Sequence, residues 1–161
     1  MALARQTLIH VFAEIAGERH VLLGEKLTGF GAGMIMGPGG HVEPGESDID
    51  AAVRELHEET GITVASRAVA KTAQLTYLFP SRPEWDARVA VFAALAWSGP
   101  PVASSELRPQ WFPVKALPLD RMWDDEHYWL PHVLAGKTVV ATFVFDDLNT
   151  TVIEHNIGDA T

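Results

Sequence analysis

The sequence predicts an α+β fold organised around a mixed β-sheet, and three observations predict it. Segments rich in β-branched and aromatic residues outnumber helical segments by roughly three to one. They do not alternate with helices in the regular order that builds a doubly wound parallel sheet. The chain has 161 residues, 47% of them hydrophobic and 20% charged, which is enough apolar material for a core without staples and too much for disorder. No repeat, low-complexity tract or linker divides it, so a single domain over residues 1–161 is expected.

The elements follow in order. Thr7 to Ala13 reads as a strand, Gly17-Glu18 as a turn, and His20 to Glu25 as a second strand that completes a hairpin. Residues 29–45 hold seven glycines, with Pro38 and Pro44 among them, and read as loop with room for a short strand. Ser47 to Thr60 reads as a helix. Ser47 is the N-cap, Asp48 and Asp50 suit the dipole of the first turn, and Ile49, Ala52, Val53 and Leu56 recur on one face. Gly61 suits the position after the last turn. Val64 to Phe79, Ala87 to Trp97 and Gln110 to Val114 read as strands, with a turn at Pro80 to Pro83. Asp124 to Leu134 reads as a second helix stopped by Gly136, and Pro131 inside it either counts against a helix or marks a kink. Thr138 to Phe145 and Thr150 to His155 form a last hairpin around Asp147-Leu148-Asn149.

Composition excludes several function classes. Lys plus Arg number 12 and Asp plus Glu 21, a formal charge of −9, which opposes a nucleic-acid polymer held on a basic face. A small phosphorylated substrate is still compatible, because a divalent cation neutralises both partners. The chain has no cysteine, so disulfides, thiolate-ligated metals and a thiol nucleophile are excluded. The N-terminal residues Met1 to Gln6 show no basic region leading into an apolar stretch. The longest strictly apolar run, Val89 to Trp97, is far short of the ~20 residues that cross a bilayer. A soluble cytoplasmic protein, monomer or homodimer, with no membrane partner is expected.

The chemistry concentrates between Gly40 and Ile62. On the helix, Glu55, Glu58 and Glu59 lie at i, i+3 and i+4, so their carboxylates share the face opposite the apolar one. Three like charges so close repel one another and raise at least one pKa. Mg²⁺ or Mn²⁺ relieves that conflict, because hard oxygen donors suit these ions and the ions also take phosphate oxygens. Arg54 can orient a neighbouring carboxylate or contact phosphate. A lone acidic face of this kind is usually just solvated. Here seven positions are specified together: Gly40, Glu46, Arg54, Glu55, Glu58, Glu59 and Gly61. At about 6% usage per residue type, chance gives such a match on the order of 10⁻⁹ per window.

Gly40 to Ile62 resembles, without departure, the signature box of the Nudix hydrolases. That resemblance implies a mixed β-sheet sandwiched between helices, an α/β/α sandwich, and Mg²⁺- or Mn²⁺-dependent cleavage of a nucleoside diphosphate linked to a further group. By resemblance, Arg54, Glu55, Glu58 and Glu59 are catalytic. The metal ligands are the carbonyl of Gly39, Glu55, Glu58, Glu59 and, from outside the box, Glu106, whose plain alternative is a surface acid. Glu46 supports the junction of loop and helix, and His57 occupies a variable surface position.

The likeness extends along nearly the whole chain toward the MutT-type branch, whose mammalian members hydrolyse oxidised purine nucleoside triphosphates. It is carried by Val21-Leu22-Leu23-Gly24, Gly29-Phe30-Gly31-Ala32-Gly33, Glu106-Leu107-Arg108-Pro109, Trp111-Phe112, Met122-Trp123-Asp124-Asp125-Glu126 and Tyr128-Trp129. It implies that Trp123 stacks on the base, that Asp125 and Glu126 read its edge, and that Phe30, Tyr77 and Phe79 line the pocket with Thr7 and Lys26. A core or surface role for each is the ordinary alternative. Met36 departs from the branch, which has a base-bonding asparagine there, and Glu126 replaces an aspartate. The implied reaction releases a nucleoside monophosphate and pyrophosphate, with 8-oxo-dGTP-like substrates. The alternatives are a pyrimidine nucleotide, a dinucleoside polyphosphate or a pterin triphosphate on the same box, or a nucleotide-binding sensor without turnover.

Overall fold

The computed structural model describes residues 3–159. Met1 and Ala2, on which part of the reading of the N-terminus rests, lie outside the described residues. Among those described, no helix is long and apolar enough to cross a membrane.

The sheet has nine strands, and the first is its hub. β1 (Ala4–Ile15) pairs through its second half with β2 (Glu18–Lys26) in the expected hairpin. The glycine-rich segment supplies two short strands. β3 (Ile35–Met36) joins β2, and β4 (Gly39–His41) lies antiparallel to the first half of β1. β5 (Val69–Leu78) and β6 (Ala87–Ala94) are antiparallel, and β6 runs parallel to β1. β7 (Leu107–Pro113) covers the other side of β2. β8 (Val139–Phe145) runs parallel to β5, and β9 (Val152–Asp159) closes that end. Two parallel pairs among antiparallel ones make the sheet mixed.

α1 (Asp48–Thr60) and α2 (Glu126–Leu134) cover opposite faces. Successive residues of a strand point to opposite sides, and β6 shows the consequence. Val89 and Val91 pack with Trp129, Leu130 and Val133 of α2, whereas Ala90, Phe92 and Ala94 pack with Ala52 and Leu56 of α1. Burial on both faces explains why this strand is apolar from Val89 to Ala94 rather than alternating. The result is the sandwich that the resemblance implies.

Boundaries differ from expectation for identifiable reasons. The segment from Val64 does not enter the sheet until Val69, because Ser66–Ala68 forms a short 3₁₀ turn and Thr63 only bridges Ser98. β6 stops at Ala94, where the Leu95 amide turns to the carbonyl of Ala68. The second helix begins at Glu126, because the Asp124 carboxylate accepts from the amide of Val152 at 2.7 Å and is committed to β9. Pro131 sits inside α2 without ending it, since burial of Trp129, Leu130, Val133 and Leu134 holds the helix. β9 begins at Val152 because Asp146 first caps the turn, accepting from the amides of Thr150 and Thr151.

His10 sits in the α2-side layer near Trp129 and is 1% exposed, with no partner for Nδ1. Burial lowers its pKa from 6.5 to about 4. As pH falls below 6.5 the unfolded chain gains a proton that the folded chain refuses, so stability is lost until pH reaches about 4. Replacing His10 by Leu removes this dependence. Urea unfolding at pH 7 and pH 4.5 should show the variant gaining on the parent at the lower pH by about 2–3 kcal/mol.

Candidate active site

α1 is fixed at both ends before it presents any chemistry. The Ser47 hydroxyl accepts from the amide of Asp50 at 3.1 Å, and Gly61, at φ 76°, closes the last turn with its amide on the carbonyl of His57. The apolar face is anchored by Ala52 and Leu56, so the register of the other face is set. That face carries Glu55, Glu58 and Glu59.

One guanidinium organises the acids. Arg54 grips Glu46 with Nε at 2.8 Å and Nη2 at 2.9 Å, and Nη1 reaches Glu55 at 3.0 Å and Glu58 at 3.2 Å. Nη2 also donates to the carbonyl of His41 at 3.0 Å, which ties the helix to the loop. These bonds lower the pKa of Glu46 to about 2 and raise that of Arg54. Glu46 therefore braces the loop–helix junction, as the resemblance implied.

Glu59 is in the opposite condition. It is 8% exposed and accepts from the amide of Gly39 at 2.8 Å. Burial raises its pKa to about 7, against that hydrogen bond and with repulsion from Glu55 and Glu106. Glu55 is raised too, chiefly by burial, with Arg54 opposing and Glu58 and Glu106 adding. Glu106, far away in sequence, is thus brought beside the helix acids. The carbonyl of Glu106 accepts from the amide of Leu27 at 2.9 Å and holds this approach. A Cβ at Gly40 would lie 2.5 Å from Glu55 Oε1, so any larger residue there displaces that carboxylate.

Among the described residues, no three Asp, Glu or His side chains form a preformed metal cage. Glu58 is turned to Arg54. The donor set still fits a hard divalent cation. Glu55, Glu59 and Glu106 repel one another, and Arg54 is already committed to Glu46. Oxygen donors carrying surplus negative charge are what Mg²⁺ and Mn²⁺ take.

Gly39 and Gly40 also edge a cavity of about 450 Å³ on the α2 side of the sheet. Phe30, Met36, Tyr77, Phe79, Trp123, Asp125 and Glu126 all line it, with Thr7 and Lys26. The residues expected at a base pocket are therefore gathered in one place, next to the acids. At its floor, Asp125 is 2% exposed, and its Oδ2 accepts from Tyr77 Oη at 2.7 Å and Trp129 Nε1 at 2.8 Å. Glu126 is 4% exposed, and its Oε2 has no partner. Burial raises both pKa values. For Asp125 the two donors oppose the shift, and for Glu126 the charge of Asp125 adds to it. Tyr77 and Trp129 thus favour the charged form of Asp125 alone, while nothing offsets the burial of Glu126. His57 is exposed, as expected.

Sequence reasoning did not find Trp85, which also lines the cavity from a 3₁₀ turn, Pro83–Trp85. A tryptophan inside a proline-bounded turn was the available signal. Nor did it assign Trp129 as the partner of Asp125. Only a helix register can show that a residue four positions on comes back to the same carboxylate.

Acid helix, glycine edge and enclosed pocket in this order define a class, and comparison agrees: the NUDIX domain family matches residues 6–133, and the chain belongs to that family. An oxidized purine nucleoside triphosphate hydrolase of Mus musculus is 40% identical over 132 residues, covering 82% of this chain and 83% of its relative. An oxidized purine nucleoside triphosphate hydrolase of Danio rerio is 38% identical over 139 residues, covering 86% of each. A solved MutT protein from Bacillus halodurans has a TM-score of 0.77 over 96% of this chain and 97% of its own, at 22% identity, which shows likeness of fold.

Glu59→Gln keeps an acceptor for the Gly39 amide and removes a charge that folding disfavours. Its ordinary pKa of 4.5 rises to about 7, so the parent loses stability as pH climbs through that window and the variant does not. With a chelator present, Glu59→Gln should be the more stable at pH 7.5, by on the order of 2 kcal/mol in thermal or urea unfolding. Adding Mg²⁺ should raise the melting temperature of the parent and leave that of the variant nearly unmoved. Gly40→Ala should remain folded by circular dichroism while losing the same Mg²⁺ response, because Glu55 is displaced.

Proposed function

We propose that this chain is a Mg²⁺- or Mn²⁺-dependent hydrolase that converts nucleoside triphosphates to the monophosphate and pyrophosphate, with oxidised purine nucleotides as its substrate class. The observation that carries this reading is the continuity of the site: the acids of α1 and Glu106 meet, across Gly39 and Gly40, the same cavity whose floor is the Asp125–Glu126 pair. The activity printed for the mouse and zebrafish relatives supports it. The absence of cysteine accords with a reducing, cytosolic setting.

In this reading Glu55, Glu58, Glu59, Glu106 and the Gly39 carbonyl hold the cation. When bound, it neutralises charge developing on the phosphates and acidifies water. The residues of the chain do the rest. Arg54 keeps Glu55 and Glu58 in place through its grip on Glu46. The proton of the attacking water goes to a glutamate of this face, where Glu59 is held in place by the Gly39 amide at 2.8 Å. Water oxygen bonds to one phosphorus of the α–β bridge, the bond from that phosphorus to the bridging oxygen breaks, and the bridging oxygen stays with the other phosphorus, giving nucleoside monophosphate and pyrophosphate. Glu55 and Glu59 repel one another, so the base is a property of the cluster rather than of one side chain.

The base lies among Trp123, Phe30, Tyr77 and Phe79, with the Asp125–Glu126 carboxyl pair facing its polar edge. Met36 supplies a thioether where an amide would bond the base. Its polarisable sulfur packs without directing, which favours tolerance of several purine edges.

Pyrophosphate release tests the reading directly. Normal and oxidised purine triphosphates should rank above pyrimidine, dinucleoside polyphosphate and pterin triphosphate substrates in kcat/KM. Glu58→Gln and Glu59→Gln should each lower kcat by about 100-fold or more. Met36→Asn should sharpen discrimination between oxidised and normal purines by about 5- to 10-fold, the worth of one directed hydrogen bond. Unchanged Mg²⁺-dependent turnover in both glutamine variants contradicts the mechanism.

A further inference from the structure

The cavity wall contains an aromatic belt that runs from floor to mouth. Tyr77 stands at the floor beside Asp125, with Phe145 6.1 Å away between ring centroids. Phe79 stacks on Phe145 at 4.7 Å, and Trp85 meets Phe79 edge-on at 5.9 Å. From the opposite side, Phe30 stacks on Trp123 at 5.2 Å and its ring reaches Trp85 at 4.4 Å. The Phe30–Trp85 contact joins two loops that have no strand pairing with each other. It lies at the open end, for Phe30 is 55% exposed whereas Asp125 and Glu126 are 2% and 4% exposed.

Trp85 is held, not merely present. The turn that bears it is locked at its base, where Asp86 Oδ1 accepts from the amide of Phe79 at 2.7 Å. Within the turn, the Trp85 amide donates to the Arg82 carbonyl at 2.9 Å, and the Arg82 guanidinium lies 4.7 Å from the Trp85 ring centroid. A ring held this way offers stacking area at little further ordering cost.

We propose that Trp85 is a specificity-determining residue that favours two-ring over one-ring bases. The inference rests on the nucleotide reading above. A base whose polar edge reaches Asp125 and Glu126 points its far end at the mouth. A pyrimidine ends beside Tyr77 and Trp123. The second ring of a purine extends to the level of Phe30 and Trp85 and gains their stacking. The preference thus comes from depth: the acids fix one end of the base, and Trp85 rewards the base that is long enough to reach it.

The test compares Trp85→Leu and Trp85→Phe with the parent in two measurements. Calorimetry gives the affinity for purine and pyrimidine nucleoside triphosphates, and pyrophosphate release gives kcat and KM. Trp85→Leu should weaken purine binding about 10-fold, the usual worth of one base–aromatic stack, and leave pyrimidine binding within about twofold. KM should carry the loss, kcat should hold, and Trp85→Phe should recover most of it. Equal losses for both base classes, a purine loss carried by kcat alone, or no purine loss overturns the inference. Should Trp85→Leu not give folded protein, Trp85→Met asks the same question of the ring. A shifted binding ratio in a protein that releases no pyrophosphate refutes the hydrolase reading and leaves the role of Trp85 standing.

Discussion

The grip of Arg54 on Glu46 is the interaction on which the rest of the site depends. It places one positive charge within reach of Glu55 and Glu58 and binds the helix to the loop through the carbonyl of His41. Without it, α1 would carry three glutamates against a glycine edge that offers no side chain to shield them. With it, two of the acids are oriented and the third, Glu59, is left buried on a single backbone amide. The site thus keeps its electrostatic tension where Glu55, Glu59 and Glu106 meet, most of all at Glu59. Active sites commonly keep such tension at some expense in stability.

The sheet makes this arrangement possible by serving two layers at once. β1 pairs with β4 through the stretch that bears Thr7 and Leu8, and this brings Gly39 and Gly40 to the boundary between helix and cavity. The α1 face of the sheet sets the acids, and the α2 face sets the pocket. The phosphate end and the base end of a nucleotide would be addressed by opposite sides of one sheet, joined at a two-glycine edge.

Much of this was legible in the sequence. The helix 48–60, its caps and its acidic face followed from local rules, because capping and 3.6-residue periodicity are properties of neighbouring residues. Glu106, Trp123, Asp125 and Glu126 were legible only through resemblance, since no local signal says that a loop acid will approach Glu59. The start of the second helix was misplaced because Asp124 is claimed by a strand amide from a distant segment. β7 begins three residues earlier than its composition suggests, at Leu107, because pairing with β2 outweighs the proline at 109. Trp85 escaped notice for the same kind of reason: its significance lies in Phe30 and Phe79, and both contacts are tertiary.

The C-terminal hairpin deserves a wider view than its position suggests. Its strand β9 holds Asp124, next to Asp125 and Glu126, and its turn holds Ser81, whose hydroxyl donates to the carbonyl of Asp147 at 3.1 Å and bonds Asn149 Oδ1 at 2.9 Å. Ser81 lies in the same connection as Trp85. One hairpin thus clamps both the bottom and the rim of the pocket. Evolutionary drift in that ribbon could retune which nucleobase is accepted and leave hydrolysis itself intact.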